Sequence, residues 1–362
     1  MQEAAVPVGT SYLLRFGRAL IFASLFLVGF CGGLIVLNLT PSSVTGKELQ
    51  AKIDWIDRHS TEVDTIFIGS SHVHHQISPA VFDEITLKCG NPTYSFNLGC
   101  FGMVPHEMER VLYTALTEGK RFKNAFVAIG VGAPGTNYPN TQRAIWWHDL
   151  FETSIVLADV LSYDVPFQTK YGMLQDHLRH AVLNIGKMGR WRSLFQQPPD
   201  TPDLILEELS LTRGYSPIAR TAGNEEEYDK LRHALTERMA DFEQTRNKLI
   251  AQAKVDDGAR ELTPQEQVSL RLIRRIVKRL ESRCDRIILF TPVGYGATFP
   301  NLDQYLEGSK AEYWALNDPI RFEQIYNTDK WANLTHLNKE GAEEFTEIIA
   351  NQFCSFLSAG AR

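Results

Sequence analysis

The chain has 362 residues, of which 44% are apolar and 22% charged, and its formal net charge is −6. This composition is that of a globular protein and excludes disordered, collagenous and coiled-coil classes. The negative balance also excludes nucleic-acid binding through a general basic surface, because phosphate neutralisation needs an excess of lysine and arginine.

An uncharged apolar segment runs from Ala19 to Leu39, and its 21 residues are long enough to cross a bilayer as a helix. Arg15 and Arg18 precede the segment, while the first basic residue after it is Lys47. The positive-inside rule then predicts a cytoplasmic tail over residues 1–18, a transmembrane anchor over residues 19–39 and an extracytoplasmic body.

Three other interpretations of this segment are a cleaved signal peptide, a lipoprotein signal and a buried core helix. No clear A-x-A cleavage site follows the apolar run, and the bulky Phe30 directly before Cys31 disfavours a lipoprotein signal. A core helix is disfavoured because the segment is apolar on every face.

Residues 40–62 are predicted to form a polar linker and a leading helix. Short β-rich runs then follow at residues 63–68, 94–98, 125–129 and 287–290, with helical patterns between them. Strands that alternate with helices predict a largely parallel sheet covered on both faces, in an α/β domain over residues 63–362.

A long insertion, at about residues 136–285, separates the third and fourth predicted strands. Its second part is predicted to be a helical hairpin, with one helix from Glu225 to Ala253 and a second helix that begins with a capping box made by Thr263 and Glu266. A lid or substrate platform and a packing subdomain are both compatible with such an insertion.

The strongest chemical signal is the Gly-Ser-Ser-His turn of residues 69–72, which directly follows the first predicted strand. Ligands of open parallel sheets bind beyond the carboxyl ends of the strands, so Ser71 is well placed to be a nucleophile. His336 lies just before the last helix, for which Asn338 is the predicted N-cap, and a histidine there can serve as the base for the serine.

These motifs resemble the SGNH (GDSL-type) hydrolase superfamily. The likeness rests on residues 69–71 after the first strand, residues 97–102 (Asn-Leu-Gly-Cys-Phe-Gly) after the second, and a late His-Leu-Asn at residues 336–338. Within the superfamily, the chain is most similar to membrane-anchored polysaccharide O-acetyltransferase-like and D-alanyl transfer-like proteins. The likeness covers about residues 63–135 and 286–356 and leaves the insertion unexplained. It implies a flavodoxin-like three-layer sandwich with a parallel sheet, to which the sequence adds one N-terminal transmembrane helix and the mostly helical insertion.

The resemblance also implies roles for single residues. Ser71 matches the nucleophile and His336 the general base. Gly102, with Gly99 as the alternative, matches the backbone oxyanion donor of the second motif, and the N–H of Ser71 is the other donor. Asn137 is the candidate for the side-chain oxyanion donor of the third motif, although its Gly-x-Asn begins five residues after Gly130.

One departure from the pattern concerns the group that orients the histidine. The family usually has an aspartate three residues before the histidine, and this chain has Asn333. An asparagine can accept a hydrogen bond from imidazole, but it does not stabilise imidazolium by charge. Asp329 is the alternative orienting group if the turn folds back.

Further candidates concern substrate, metal and redox chemistry. His72, Trp146 and Trp147 are candidate substrate-binding residues, with core packing as the alternative for the two tryptophans. No metal or cofactor is predicted, since serine and histidine suffice for the ester chemistry that the resemblance implies. If the body is exported, Cys89 and Cys100 are a candidate disulfide pair, and the sequence leaves their state open.

The sequence thus predicts an extracytoplasmic, membrane-anchored SGNH-like acyltransferase or esterase that acts on a cell-envelope polysaccharide through a serine ester. Its expected partners are that polymer or another acyl acceptor, a membrane protein that delivers acyl groups, and the bilayer itself. The alternative is a catalytically weak relative that serves as a binding or assembly component of a polysaccharide modification or export complex.

Overall fold

A computed structural model describes residues 8–39, 47–116, 120–132, 134–135, 141–186, 202–255, 261–294, 296, 299 and 302–360. Its centre is a parallel sheet of five strands, in the order β2-β1-β3-β4-β5. The strands are β1 (Thr65–Ile68), β2 (Ser95–Asn97), β3 (Phe122–Ala128), β4 (Cys284–Thr291) and β5 (Ala311–Ala315). The predicted α/β class and parallel sheet are confirmed.

This strand order is the flavodoxin-like one. After β1 the chain adds β2 on one side and then β3 on the other side, so the order of the strands changes direction between β1 and β3. The register places Ile68, the last residue of β1, opposite Val127 of β3. Both strands therefore end at the same edge, and the crevice at this reversal is where open α/β sheets bind ligands.

The helices, in chain order, number fourteen among the described residues. They are α1 (Val8–Leu39), α2 (Lys47–Arg58), α3 (Ser71–Gln76), α4 (Pro79–Lys88), α5 (Pro105–Ala115), α6 (Gln142–Trp147), α7 (Leu150–Ser162), α8 (Phe167–Ile185), α9 (Asp203–Thr212), α10 (Glu225–Glu237), α11 (Met239–Val255), α12 (Pro264–Glu281), α13 (Leu302–Tyr305) and α14 (Lys339–Gly360).

Alternation along the strands builds a core on each face of the sheet. In β1, Ile66 and Ile68 join the core that contains residues of α2, α5 and α12, while Phe67 joins the one that contains residues of α3, α4 and α14. Side chains of successive strand residues point to opposite faces, and burial on both faces requires the apolar runs that made these strands predictable.

The segment between β3 and β4 is helical wherever the structure describes it, with α6 to α12 in sequence. The single helix predicted from Glu225 to Ala253 is divided at Arg238 into α10 and α11. The predicted helix after it is α12, whose first turn is closed by the capping box of Thr263 and Glu266. The helical content predicted for the insertion is therefore confirmed.

β5 is the strand that the sequence analysis missed. Its residues are mostly half-buried, and Glu312 interrupts the apolar run that marks the other strands. An edge strand is covered on fewer sides than a central one, so its sequence carries a weaker pattern.

At the N-terminus, α1 is a helix of 32 residues. In the part of the chain that the structure describes, no helix has both the length and the apolar character needed to cross a membrane. The side chains of residues 8–14, 31 and 34–39 lie outside that part, and the anchor over residues 19–39 stays a prediction.

The disulfide differs from the predicted candidate pair. Cys89, at the end of α4, is bonded to Cys354 in α14, and Cys100 is a free, buried thiol. Nearness in sequence suggested Cys89 and Cys100, but the packing of α4 against α14 brings residues 265 positions apart together.

Candidate active site

Ser71 lies where β1 turns into α3, at the carboxyl edge of the sheet. The turn is tight at Gly69, where a Cβ atom would lie 2.4 Å from the side chain of Val73 and 2.8 Å from Ala128. Only glycine fits between these neighbours, which is why the turn before the serine begins with this residue. The Ser71 side chain is buried, so its hydroxyl must be satisfied within the site.

His336 supplies the partner of that hydroxyl. It sits in the loop between β5 and α14, where Trp331 and Leu337 form an isolated bridge and Asn338 caps α14 through the N–H of Gly341 (2.9 Å). The loop brings His336 Nε2 to 2.8 Å from Ser71 Oγ across 265 positions of sequence. The structure therefore brings together the two residues predicted to be nucleophile and base.

Asn333 contacts the other side of the imidazole ring. Its Oδ1 lies 3.2 Å from His336 Nδ1 and accepts the backbone N–H groups of Thr335 and His336, each at 2.9 Å. An amide oxygen only accepts, so Nδ1 carries the proton and Nε2 is free to accept the hydroxyl of Ser71. This is the tautomer that a general base requires.

Asp329 does not take that place. Its carboxylate is 83% exposed and lies 3.9 Å from Arg232 Nη2. Of the two candidate orienting groups, the structure therefore places Asn333 against the histidine.

Burial, with a smaller contribution from the nearby His75, lowers the pKa of His336 to about 4. The imidazole is consequently neutral at neutral pH and can accept a proton from Ser71. The same burial disfavours the imidazolium that proton transfer creates, and no carboxylate at Nδ1 offsets that cost.

The two glycines of the second motif differ in what their backbones do. The Gly99 N–H donates to Asn97 Oδ1 at 2.8 Å, so it is already used within the turn. Gly102 adopts φ +65°, a conformation that favours glycine, in the turn that precedes α5. Gly102 stays the candidate oxyanion donor that the motif resemblance implies.

Asn97 has a structural role that the sequence analysis missed. Its Nδ2 donates to the carbonyl oxygens of Val73 (2.7 Å) and Ile77 (2.8 Å), so one buried amide ties the end of β2 to α3. The Cys100 N–H donates to Gly69 O at 3.1 Å. The second motif and the serine turn are therefore hydrogen-bonded to each other.

Lys52 of α2 is a second residue that the sequence analysis did not single out. It is fully buried, and its Nζ donates to Gly99 O (2.6 Å) and Gly214 O (2.7 Å) and lies 3.0 Å from His74 Nδ1. Burial lowers its pKa, while Glu48, 3.5 Å away, acts in the opposite direction. Its three ammonium hydrogens match three acceptors around the second motif. The only sign of this buried lysine in the sequence was its place between the apolar residues of an amphipathic helix.

The three histidines of α3 have three different surroundings. His72 Nδ1 lies 3.3 Å from Ser70 Oγ, His74 Nδ1 faces Lys52, and His75 Nδ1 donates to Ser216 O at 2.6 Å. The ring of His72 lies beside that of His336, with centroids 5.0 Å apart, and burial lowers its pKa to about 3. His72 thus lies beside His336 as a neutral side chain, and its role in substrate binding stays a prediction.

Trp146 and Trp147 are only 2% exposed and belong to the core on one face of the sheet. Trp147 stacks on His148 with ring centroids 3.6 Å apart. A sugar needs an accessible aromatic face. Both tryptophans pack in the core and expose too little ring surface for the predicted stacking on a sugar. Asn137, the candidate side-chain oxyanion donor, lies outside the described residues.

Comparison with models of known families, with curated proteins and with solved structures finds no significant match to this chain. The argument for function therefore rests on the residues of the site. They form a serine hydroxyl bonded to a neutral imidazole whose other nitrogen is held by an amide, which is an arrangement suited to acyl transfer through a serine ester.

Proposed function

We propose that the protein is an SGNH-like acyltransferase or esterase that acts on a cell-envelope polysaccharide through an ester on Ser71. The observation that carries the proposal is the 2.8 Å contact between Ser71 Oγ and His336 Nε2 at the edge where β1 and β3 end. The motif resemblance supports the same chemistry, and O-acetylation is the form of it that we favour.

In the first half-reaction, His336 Nε2 takes the proton of Ser71 as Oγ bonds to the carbonyl carbon of an acyl donor. The N–H groups of Ser71 and Gly102 are the proposed donors to the oxyanion. His336 then returns its proton to the leaving group of the donor, which departs and leaves the acyl group on Ser71.

In the second half-reaction, a sugar hydroxyl or water enters in place of the leaving group. His336 accepts its proton, the new oxygen bonds to the acyl carbon, and the bond to Ser71 Oγ breaks as the serine is protonated again. A sugar acceptor makes the protein a transferase, and water makes it an esterase.

We further propose that the N-terminal segment holds this site at a membrane, beside a membrane protein that delivers acyl groups. What supports this is the exposure of apolar side chains along the described part of α1. They are Phe16, Leu20, Ile21, Phe22, Leu25, Phe26, Leu27, Val28 and Phe30. A helix with this surface is unfavourable in water.

The test uses the full-length chain in detergent with p-nitrophenyl acetate and a fluorophosphonate probe. We expect wild type to turn over and to label, and Ser71→Ala to lose both, with turnover reduced roughly a thousandfold or more. Ser70→Ala is the matched control, because this neighbouring serine contacts His72 rather than His336, and it should retain labelling.

A second candidate function is favoured by one observation, the amide at the position of the usual acid. Asn333 orients the imidazole without charge, so a chain that binds a saccharide but turns over slowly is compatible with the geometry. Saccharide binding that survives Ser71→Ala, in a wild type that neither labels nor turns over, would favour the binding component over the enzyme.

A further inference from the structure

The helix α8 buries several polar side chains and exposes several apolar ones. His177, His180 and Asn184 are buried, and Asn184 Nδ2 donates to the backbone oxygens of Ile145 (2.7 Å) and Trp146 (2.9 Å). His177 Nε2 donates to Pro134 O at 2.9 Å, and its Nδ1 lies 2.9 Å from Nε2 of His148. These specific bonds fix which face of the helix points inward.

Apolar side chains lie along one flank of α8, roughly 120° around the helix from the buried residues, and we call this flank the α8 stripe. It consists of Phe167, Tyr171, Leu174, Leu178, Val182 and Ile185. At 100° per residue these six positions lie within roughly 80° of one another, and they span about 27 Å of helix. Phe167 is 78% exposed and Val182 is 67% exposed, while Leu174 and Ile185 are half-buried.

An exposed apolar surface of this kind needs an explanation, since scattered apolar residues are normal on protein surfaces but a continuous stripe is not. The stripe also extends beyond α8. Lys170 Nζ donates to Leu161 O at 3.0 Å, which places the exposed Leu161 of α7 beside its beginning.

Two observations indicate a lipid bilayer as the occupant. First, α8 is in contact with α1, a helix that exposes apolar side chains on all sides of its described part. Second, the stripe contains no charged residue. The one acidic residue of α8, Asp176, lies roughly 160° from the centre of the stripe, while Lys170 and Arg179 are nearer its borders.

We propose that the α8 stripe lies flat in the interfacial region of the membrane. Interfacial helices bury an apolar face at the boundary between headgroups and acyl chains and keep basic residues toward the headgroups. Two consequences follow. The body is held in one orientation, and the loop after β3 is coupled to the membrane surface, because His177 on the inner side of α8 is bonded to Pro134 in that loop.

Site-directed spin labelling of the full chain tests this proposal. Nitroxides are placed by Tyr171→Cys and Leu178→Cys in protein whose Cys31 is serine, reconstituted in vesicles of phosphatidylethanolamine and phosphatidylglycerol. Asp176→Cys is the matched control, since it is an exposed position on the same helix outside the stripe. The measurement is the collision rate of each label with oxygen, which partitions into lipid, and with a water-soluble nickel chelate.

We expect the labels at 171 and 178 to collide several-fold more with oxygen relative to the chelate than the label at 176 does. Equal accessibility of all three labels to the chelate would overturn the proposal. So would spin–spin broadening at 171 and 178 that disappears on dilution with unlabelled protein, because the occupant would then be a second copy of the chain. Neither result depends on whether Ser71 reacts.

Discussion

Two groups of buried histidines lie in this protein, one at the carboxyl edge of the sheet and one in the helical insertion. Burial is the main cause that lowers the pKa of His336 to about 4 in the first group, and of His177 to about 4 in the second. The rings differ in what Nε2 contacts. In His336 it contacts the hydroxyl of Ser71, and in His177 it donates to the backbone oxygen of Pro134.

The comparison shows that a low histidine pKa by itself does not identify a base. A general base needs a partner that can give up a proton, and a carbonyl oxygen has none to give. Histidines of the insertion bond backbone groups, while at the sheet edge His336 contacts a hydroxyl, as the proposed base would.

The largest expected effect separates these two groups directly. His336→Gln removes the base and should lower turnover of p-nitrophenyl acetate roughly a thousandfold. His177→Gln keeps an N–H donor near Pro134 and should change turnover by less than about threefold. A large loss of turnover in folded His177→Gln protein would contradict the inference that the histidines of the insertion have a structural role only.

A second prediction concerns the packing around the second motif. Lys52→Met removes the ammonium that donates to the buried carbonyl oxygens of Gly99 and Gly214, which we expect to lower the free energy of unfolding by about 3 kcal/mol. Chemical denaturation followed by tryptophan fluorescence measures it. Lys47→Met, at an exposed position on the same helix, is the control and should change little. Equal stability of the two variants would show that the hydrogen bonds of Lys52 do not stabilise the motif of residues 97–102.

A third prediction tests the amide beside His336. In wild type, protonation of His336 should abolish turnover only as the pH falls through about 4. Asn333→Asp places a negative charge at Nδ1, which favours imidazolium, so the acid limb of the rate profile should move upward, toward the ordinary value near 6.5. At pH 8 we expect the rate to rise about tenfold, because charge then stabilises the transferred proton. An unchanged acid limb would mean that the side chain at position 333 does not influence the pKa of His336.

The smallest effect is expected at Trp147. Trp147→Phe should lower stability by about 1 kcal/mol, because it reduces the stack on His148 within the core. The KM for a saccharide acceptor should stay the same. A raised KM at unchanged stability would restore the sugar-binding interpretation of this residue.

Much of the fold was predictable because its signals are local. The apolar runs of β1 to β4 and the capping box of α12 are each contained in a few neighbouring residues. β5 escaped prediction because its half-exposed residues need no continuous apolar run.

The site was predictable only where a motif marked it. Ser71 and His336 follow sequence patterns, but the roles of Lys52 and Asn97 depend on where other segments place their carbonyl oxygens. The disulfide was not predictable for the same reason, since the partner of Cys89 is decided by the packing of two distant helices.

That disulfide encloses the whole helical insertion, because one of its cysteines lies before the insertion and the other after it. Ser71 lies outside the closed ring of chain, whereas His336 lies inside it. A single backbone cut in the insertion would therefore give two chains, one with the serine and one with the histidine, still joined by one covalent bond. On a gel, such a nicked molecule would run as one species until a thiol reductant divides it.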